Sequence, residues 1–158
     1  MEDFESFYRS SRDGCFRALF VTVRDVHEAD DLLAESYARA LARWDDVGSH
    51  PAPKAWIIRT ALNLHRDRWR RMARHRRLRT LSTEPSPAQD VDADPEVLRA
   101  LFGLPGRQRQ VVALRVLAQM DTEETAIALG IAPGTVTTHL HRGLSALREQ
   151  LTARKEAP

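Results

Sequence analysis

The sequence predicts an all-α protein of two small helical domains joined by a flexible acidic linker. Three observations carry that expectation. Apolar residues recur at three- and four-residue steps through most of the chain, the period of a helix with one buried face. No strand-like alternation and no internal repeat occurs. Between residues 81 and 96, LSTEPSPAQDVDADPE holds three prolines, five acids and no basic residue, a composition that buries little and divides the chain in two. These set a first domain over 1–80, the linker over 81–94 and a second domain over 95–153.

The first helix is expected from Asp3 to Arg24, with Phe4, Phe7, Tyr8, Cys15, Phe16, Leu19, Phe20 and Val23 on one face and a break near Asp13-Gly14. Asp25 then offers a cap for a second helix from about His27 to Trp44. Its inner stripe reads Ala29, Leu32, Leu33, Ser36, Tyr37, Ala40, Leu41, Trp44. Its outer face opens acidic (Glu28, Asp30, Asp31, Glu35) and closes basic (Arg39, Arg43), an order that the helix dipole explains as well as a binding role does. The prolines and glycine of residues 45–53 read as a loop. A third helix runs from about Lys54 into the seventies, with Trp56, Ile58, Ala61, Leu62, His65, Trp69 and Met72 inward. His65 there reads as a hydrogen-bonded core histidine rather than a ligand. From Arg66 to Arg79 the chain has eight arginines against the single acid Asp67. Like charges one turn apart repel, so a phosphate-binding surface explains the run better than a solvated face.

Past the linker a helix opens near Pro95, breaks at Gly103-Leu104-Pro105 and resumes to about Ala118. From Met120 to Arg148 the pattern is helix, tight turn, helix. Asp121 or Thr122 starts the first helix, Glu124 is placed to close a capping box, and Gly130 stops it. Ala126, Ile127 and Leu129 form its apolar side. Pro133 suits the first position of the second helix, whose stripe is Val136, Leu140, Leu144, Leu147 and Leu151. The opposite side carries Thr135, Thr137, Thr138, His139, Arg142, Ser145 and Arg148, with no carboxylate before Glu149. These groups hydrogen-bond phosphates and base edges, which favours a DNA-reading helix-turn-helix over a packed αα-hairpin.

Other chemistry is sparse. There is no glycine-rich phosphate loop, nucleophile elbow or CxxC pair, so no catalytic residue, cofactor or enzyme activity is expected. His139 and His141 are two apart on a helix and point to different sides. His27 with Asp30, Asp31 and Glu35 lacks the further His or Cys of a metal site, and no metal is expected. The lone Cys15 reads as a small buried hydrophobe. No apolar run reaches membrane-spanning length and MEDFES is acidic where a signal peptide is basic, so a cytoplasmic protein without membrane insertion is expected. The net charge of +2 is too small to argue for nucleic acid; the placement of the arginines makes that case.

DDLLAESYARAL, then a tryptophan, a loop and AWIIRTALNLHRDRWRR resemble region 2 of bacterial sigma factors, most closely the small extracytoplasmic-function group. LPGRQRQVVALRVLAQMDTEETAIALGIAPGTVTTHLHRGLSALRE resembles region 4 of the same group, in the expected order and with the expected tether between. The resemblance implies a protein that binds core RNA polymerase through its clamp helices and flap, contacts duplex promoter DNA and opens it. Asp30, Asp31 and Glu35 would meet the clamp. Asn63 would read the −10 element, with the loop 45–53, His50 included, pocketing an unpaired base. Arg66, Arg68, Arg70 and Arg71 would line the groove for the unpaired strand. Thr135, Thr137, Thr138, His139 and Arg142 would read the −35 element in the major groove. The tether would thread toward the polymerase channels, and an anti-sigma factor is an implied partner. The chain departs from the family at Ala34 (commonly glutamine), Val47 (often aromatic), Ala132 (commonly a serine cap) and Thr137 (commonly basic). Two other readings use the same residues: a stand-alone helix-turn-helix regulator, and a sigma-like interaction protein that opens no promoter.

Overall fold

A computed structural model describes residues 1–76 and 93–156, and all regular structure among them is helical. The linker expectation falls almost wholly outside the described residues, as do Arg77 and Arg79.

Helix α1 (Phe4–Val23) is capped by Asp3, whose carboxylate accepts from the Ser6 amide, and ends on Arg24 at φ 64°. The break expected at Asp13-Gly14 is absent: α1 runs through it without interruption. Helix α2 (Val26–Ala42) starts on the expected cap, Asp25, which accepts from the Glu28 amide. It stops short of Trp44, where a single turn, α3 (Trp44–Val47), takes up the first part of the expected loop. Helix α4 (Pro53–Arg76) has the expected extent.

These helices close on Leu19, Phe20, Leu32, Leu33, Ile57 and Ile58, all at most 2% exposed. At the N-terminal end, Phe4, Tyr8 and Tyr37 stack edge-to-face or offset, and Phe4 and Phe7 lie against Trp44. The Tyr37 hydroxyl and Ser11 share a buried hydrogen bond of 2.6 Å. Ser11 also donates to the Phe7 carbonyl, so the polar pair enters the core satisfied. Cys15 is fully buried beside them, and that burial pushes its thiol up to about 11. Such a thiol is inert, as expected.

The apolar stripes run out earlier than their spacing implies. Leu41 is 57% exposed, and on α4 so are Trp69 (57%) and Met72 (43%). A helical period continues past the point where a partner helix ends. His65 is hydrogen-bonded as expected, its Nδ1 2.8 Å from Glu28 Oε1, but it is half-buried at the edge of a cleft rather than in the core.

In the second domain, α5 (Pro95–Phe102) is capped by Asp94 and α6 (Gly106–Val112) begins after the Pro105 restart. The last turn before Ala118 is not α-helical. Ala113–Leu117 form a π turn, with the Ala118 amide bonded to the Ala113 carbonyl, and Gln119 leaves it at φ 53°. Helix α7 (Thr122–Leu129) has the full capping box expected: Asp121 accepts from the Glu124 amide and Glu124 from the Asp121 amide. Gly130 ends it at φ 65°, the left-handed conformation that lets the chain turn at once. Its buried residues are Thr125, Ala126 and Ala128, whereas Ile127, inward by its spacing, is 37% exposed. Helix α8 (Pro133–Glu156) begins on Pro133 and buries Val136 and Gly143.

The two domains pack on one another. A single apolar cluster joins Leu19, Phe20 and Ile57 to Leu101, Leu114 and Met120. Phe20 meets Phe102 edge-on at 5.9 Å, and Arg24 sits 4.7 Å over the same ring.

Candidate nucleic-acid interface

Two polar faces and one acidic face stand out, and each arises where a helix presents residues that its core does not use. On α4, positions 57, 58, 61 and 64 face inward. That leaves Arg59, Asn63, Arg66 and Arg70 exposed on the side toward the second domain, with Arg71 exposed about a quarter-turn away. Asn63 stands where three hollows meet. One of about 270 Å³ is lined by His50, Trp56, Arg59, Thr60, Asn63 and Ile127. A second, of about 340 Å³, has Trp56, Thr60 and Asn63 with Arg39, Arg43 and Asp67. The third is a cleft of about 720 Å³ whose walls carry Arg59, Arg66 and Arg70 from α4 and Arg107 from α6, with Asn63, Trp69 and Leu129. An amide, a half-buried indole face and several guanidiniums thus converge, a set that hydrogen-bonds, stacks and holds phosphate together.

His50 belongs to this set. Its Nδ1 accepts from the Ala52 amide at 2.9 Å, which leaves Nε2 as the ring's donor. Trp56, Arg59 and Thr60 are members that the sequence does not reveal. Trp56 falls on the inner stripe by spacing, and no local pattern shows that it shares two hollows with Asn63. Val47 is 2% exposed, so it packs in the core and does not line the hollows.

The four arginines expected in the groove divide. Arg66, Arg70 and Arg71 are exposed, whereas Arg68 is half-buried and bonded to Glu35 at 3.2 Å. Glu35 also accepts from Arg39 at 2.8 Å; that bond chiefly, with Arg68 adding to it, holds its carboxyl below the usual range. Of the acidic residues on α2, Asp30 bonds Arg12 at 3.2 Å and Asp31 is exposed. Leu41 lies on the same face as Asp31, Ala34 and Ala38, at helical steps that align them. An exposed leucine beside carboxylates suits a protein surface rather than a nucleic acid one.

On α8, Thr135, Thr138 and Arg142 are exposed along one side with His139 half-buried among them, and Thr137 is exposed about half a turn away from Thr135. Thr137 and Thr138 donate to the Pro133 and Gly134 carbonyls at 3.2 and 3.0 Å, which leaves their oxygens to accept. His139 Nδ1 is enclosed without a hydrogen-bond partner among the described residues. The described residues hold no group of three or more His, Cys, Asp or Glu arranged for a metal, and no helix long and apolar enough to cross a membrane.

An all-helical chain with a basic, amide- and indole-lined cleft and a helix-turn-helix has the make-up of a DNA-contacting protein. Residues 7–90 match the family Sigma-70 region 2, and residues 95–147 match Sigma-70, region 4. The chain is 36% identical over 159 residues to the RNA polymerase sigma-E factor of Streptomyces avermitilis, covering 96% of this chain and 87% of that one. With the ECF RNA polymerase sigma factor SigX of Bacillus subtilis it shares 29% over 169 residues, 98% of this chain and 87% of that. Among solved structures it is similar in fold to the sigma factor RpoE of Bartonella quintana, determined in complex with the anti-sigma factor NepR. That likeness has a TM-score of 0.74 at 23% identity and covers 96% of this chain and 98% of that one. The chain belongs to the sigma-70 family, with the small extracytoplasmic-function sigma factors. Its function is promoter-directed initiation of transcription by RNA polymerase.

Proposed function

We propose that this chain, bound to core RNA polymerase in the cytoplasm, holds a promoter at two points. The first domain takes the −10 element and the second the −35 element. The observation that carries the residue assignments is the position of Asn63, shared by three hollows and flanked by Trp56, His50 and Arg59. An unpaired base costs a few kcal/mol to take out of the stack, and stacking on one aromatic face returns about 1–3 kcal/mol. Trp56 supplies that face, Asn63 reads the base edge, and His50 Nε2 is placed to donate to it. Arg66, Arg70 and Arg71 hold the strand's phosphates. Arg68 acts one step back, steadying Glu35.

The α2 face with Asp31, Glu35 and Leu41 docks on the polymerase clamp, and the second domain engages the flap. Polymerase supplies the chemistry and this chain the address, so no catalytic group of its own is required. An anti-sigma factor is a further partner, suggested by the complex in which the Bartonella relative was solved.

The −35 reading rests on Thr135, Thr137, Thr138, His139 and Arg142. Replacing Thr138 and His139 by alanine is expected to cost the preferred −35 sequence about 1–3 kcal/mol for each base no longer read and to leave binding to random DNA nearly unchanged. Competition binding of the holoenzyme on both DNAs measures this. Equal losses on the two would show that these side chains read no bases.

A further inference from the structure

The cleft of about 720 Å³ holds more positive charge than the promoter reading uses. Arg59, Arg66 and Arg70 fall on one stripe of α4, and Arg107 of α6 faces the same space. Among the described residues no carboxylate lines it; Glu28 comes nearest in kind, bonded at 2.8 Å to His65, which does. Elsewhere on these helices arginines are offset, as Arg39 and Arg68 are by Glu35. Here they are not. Arg59, Arg66 and Arg70 make no hydrogen bond or ion pair among the described residues, and Arg107 bonds only the neutral Gln110 Oε1, at 3.2 Å. That bond leaves the Gln110 amide NH₂ to donate elsewhere. Four guanidiniums around one hollow repel each other and raise the local concentration of anions. Each has the planar fork that matches phosphate oxygens two at a time. Arg107 and Gln110 belong to neither face assigned to a promoter element, so strand binding leaves them without a task.

We propose that this cleft is a binding site for a small oligophosphate, gripped by Arg59, Arg66 and Arg70 on one wall and by Arg107 and the Gln110 amide on the other. The volume lies within the about 300–1,000 Å³ of small-molecule sites. A single phosphate leaves most of this charge unmet, whereas a chain of several phosphates matches it. A nucleoside triphosphate and an inorganic polyphosphate share that chemistry, and the exposed Trp69 indole on the same wall offers a base a surface to stack on. Occupancy takes Arg66 and Arg70 away from the promoter strand, a consequence that rests on the reading proposed above. The binding itself does not depend on that reading.

Calorimetric titration of the full free chain tests the site, in about 0.15 M salt so that scattered surface charges are screened. The probes are inorganic tripolyphosphate, guanosine triphosphate and inorganic phosphate, all without divalent metal. Tripolyphosphate should bind once per chain, and inorganic phosphate about tenfold or more weaker. Tighter binding of guanosine triphosphate than of tripolyphosphate assigns the nucleotide as the source; equal binding assigns the phosphate chain alone. Arg107→Ala removes a charged donor and Gln110→Glu places a carboxylate in the cleft. Each should weaken tripolyphosphate by about tenfold or more while keeping its helical circular dichroism. Arg9→Ala, an exposed arginine of α1 outside the cleft, should bind as wild type does. No binding of tripolyphosphate, or an equal loss in Arg9→Ala and Arg107→Ala, would overturn the site. Binding by a chain that initiates at no promoter leaves the site standing and removes the consequence for the strand.

Discussion

Replacing Arg66, Arg70 and Arg71 together by alanine is expected to flatten the salt dependence of promoter binding by the holoenzyme. Each guanidinium taken off a phosphate lowers the slope of log affinity against log salt by about 0.7–0.9. Three of them amount to about 2–3 in slope, so between about 50 and 200 mM salt the wild type should lose about 30-fold more affinity than the variant. At low salt the variant binds more weakly; at high salt the two converge. Arg68→Ala should behave differently, because its guanidinium is bonded to Glu35 and it is half-buried. An unchanged slope in the triple variant would make this face merely solvated. Spacing along the chain groups the four arginines, and the structure separates one of them by its partner.

The second large effect concerns stability. Leu32 and Leu41 both lie on the stripe of α2 that the sequence marks as inward, yet Leu32 is 0% and Leu41 57% exposed. Leu32→Ala should cost about 2–5 kcal/mol, the transfer of a buried side chain plus the cavity it leaves. With a urea slope of about 2 kcal/mol/M, its unfolding midpoint falls by about 1–2.5 M. Leu41→Ala should stay within about 0.5 kcal/mol of wild type. Urea titrations followed by circular dichroism distinguish them. The exposed leucine then needs another reason to be there, and a clamp-facing surface provides one. Weaker polymerase binding by a Leu41→Ala chain of unchanged stability would agree with that role.

Features set by neighbouring residues were legible in the sequence. Asp121, Glu124, Gly130 and Pro133 mark the helix-turn-helix through capping and turn chemistry that acts within four residues, and the structure realises each. Asp25 and the extent of α4 were legible on the same grounds. Features set across the fold were not. Gly14 reads as a helix break because glycine in a helix is locally unfavourable; nothing nearby in sequence shows that a Cβ there would meet the Leu117 carbonyl at 2.9 Å. Trp69 and Met72 read as core because a period of 3.6 carries no information about where the opposing helix stops. The π turn needs a one-residue slip in hydrogen bonding that no composition announces. At the proposed −10 site Asn63 and His50 come from the resemblance alone. Trp56, Arg59 and Thr60 are joined to them only by the packing of α4 against the α3–α4 loop and α7.

Run-off transcription by purified core polymerase with and without this chain, on promoter fragments selected by the holoenzyme, tests the central claim most directly. Transcripts of one defined length that require the chain, and that fall away when Asn63 or the arginine face is replaced, are the expected result. A chain that binds core polymerase but starts no transcript on any selected fragment would contradict it.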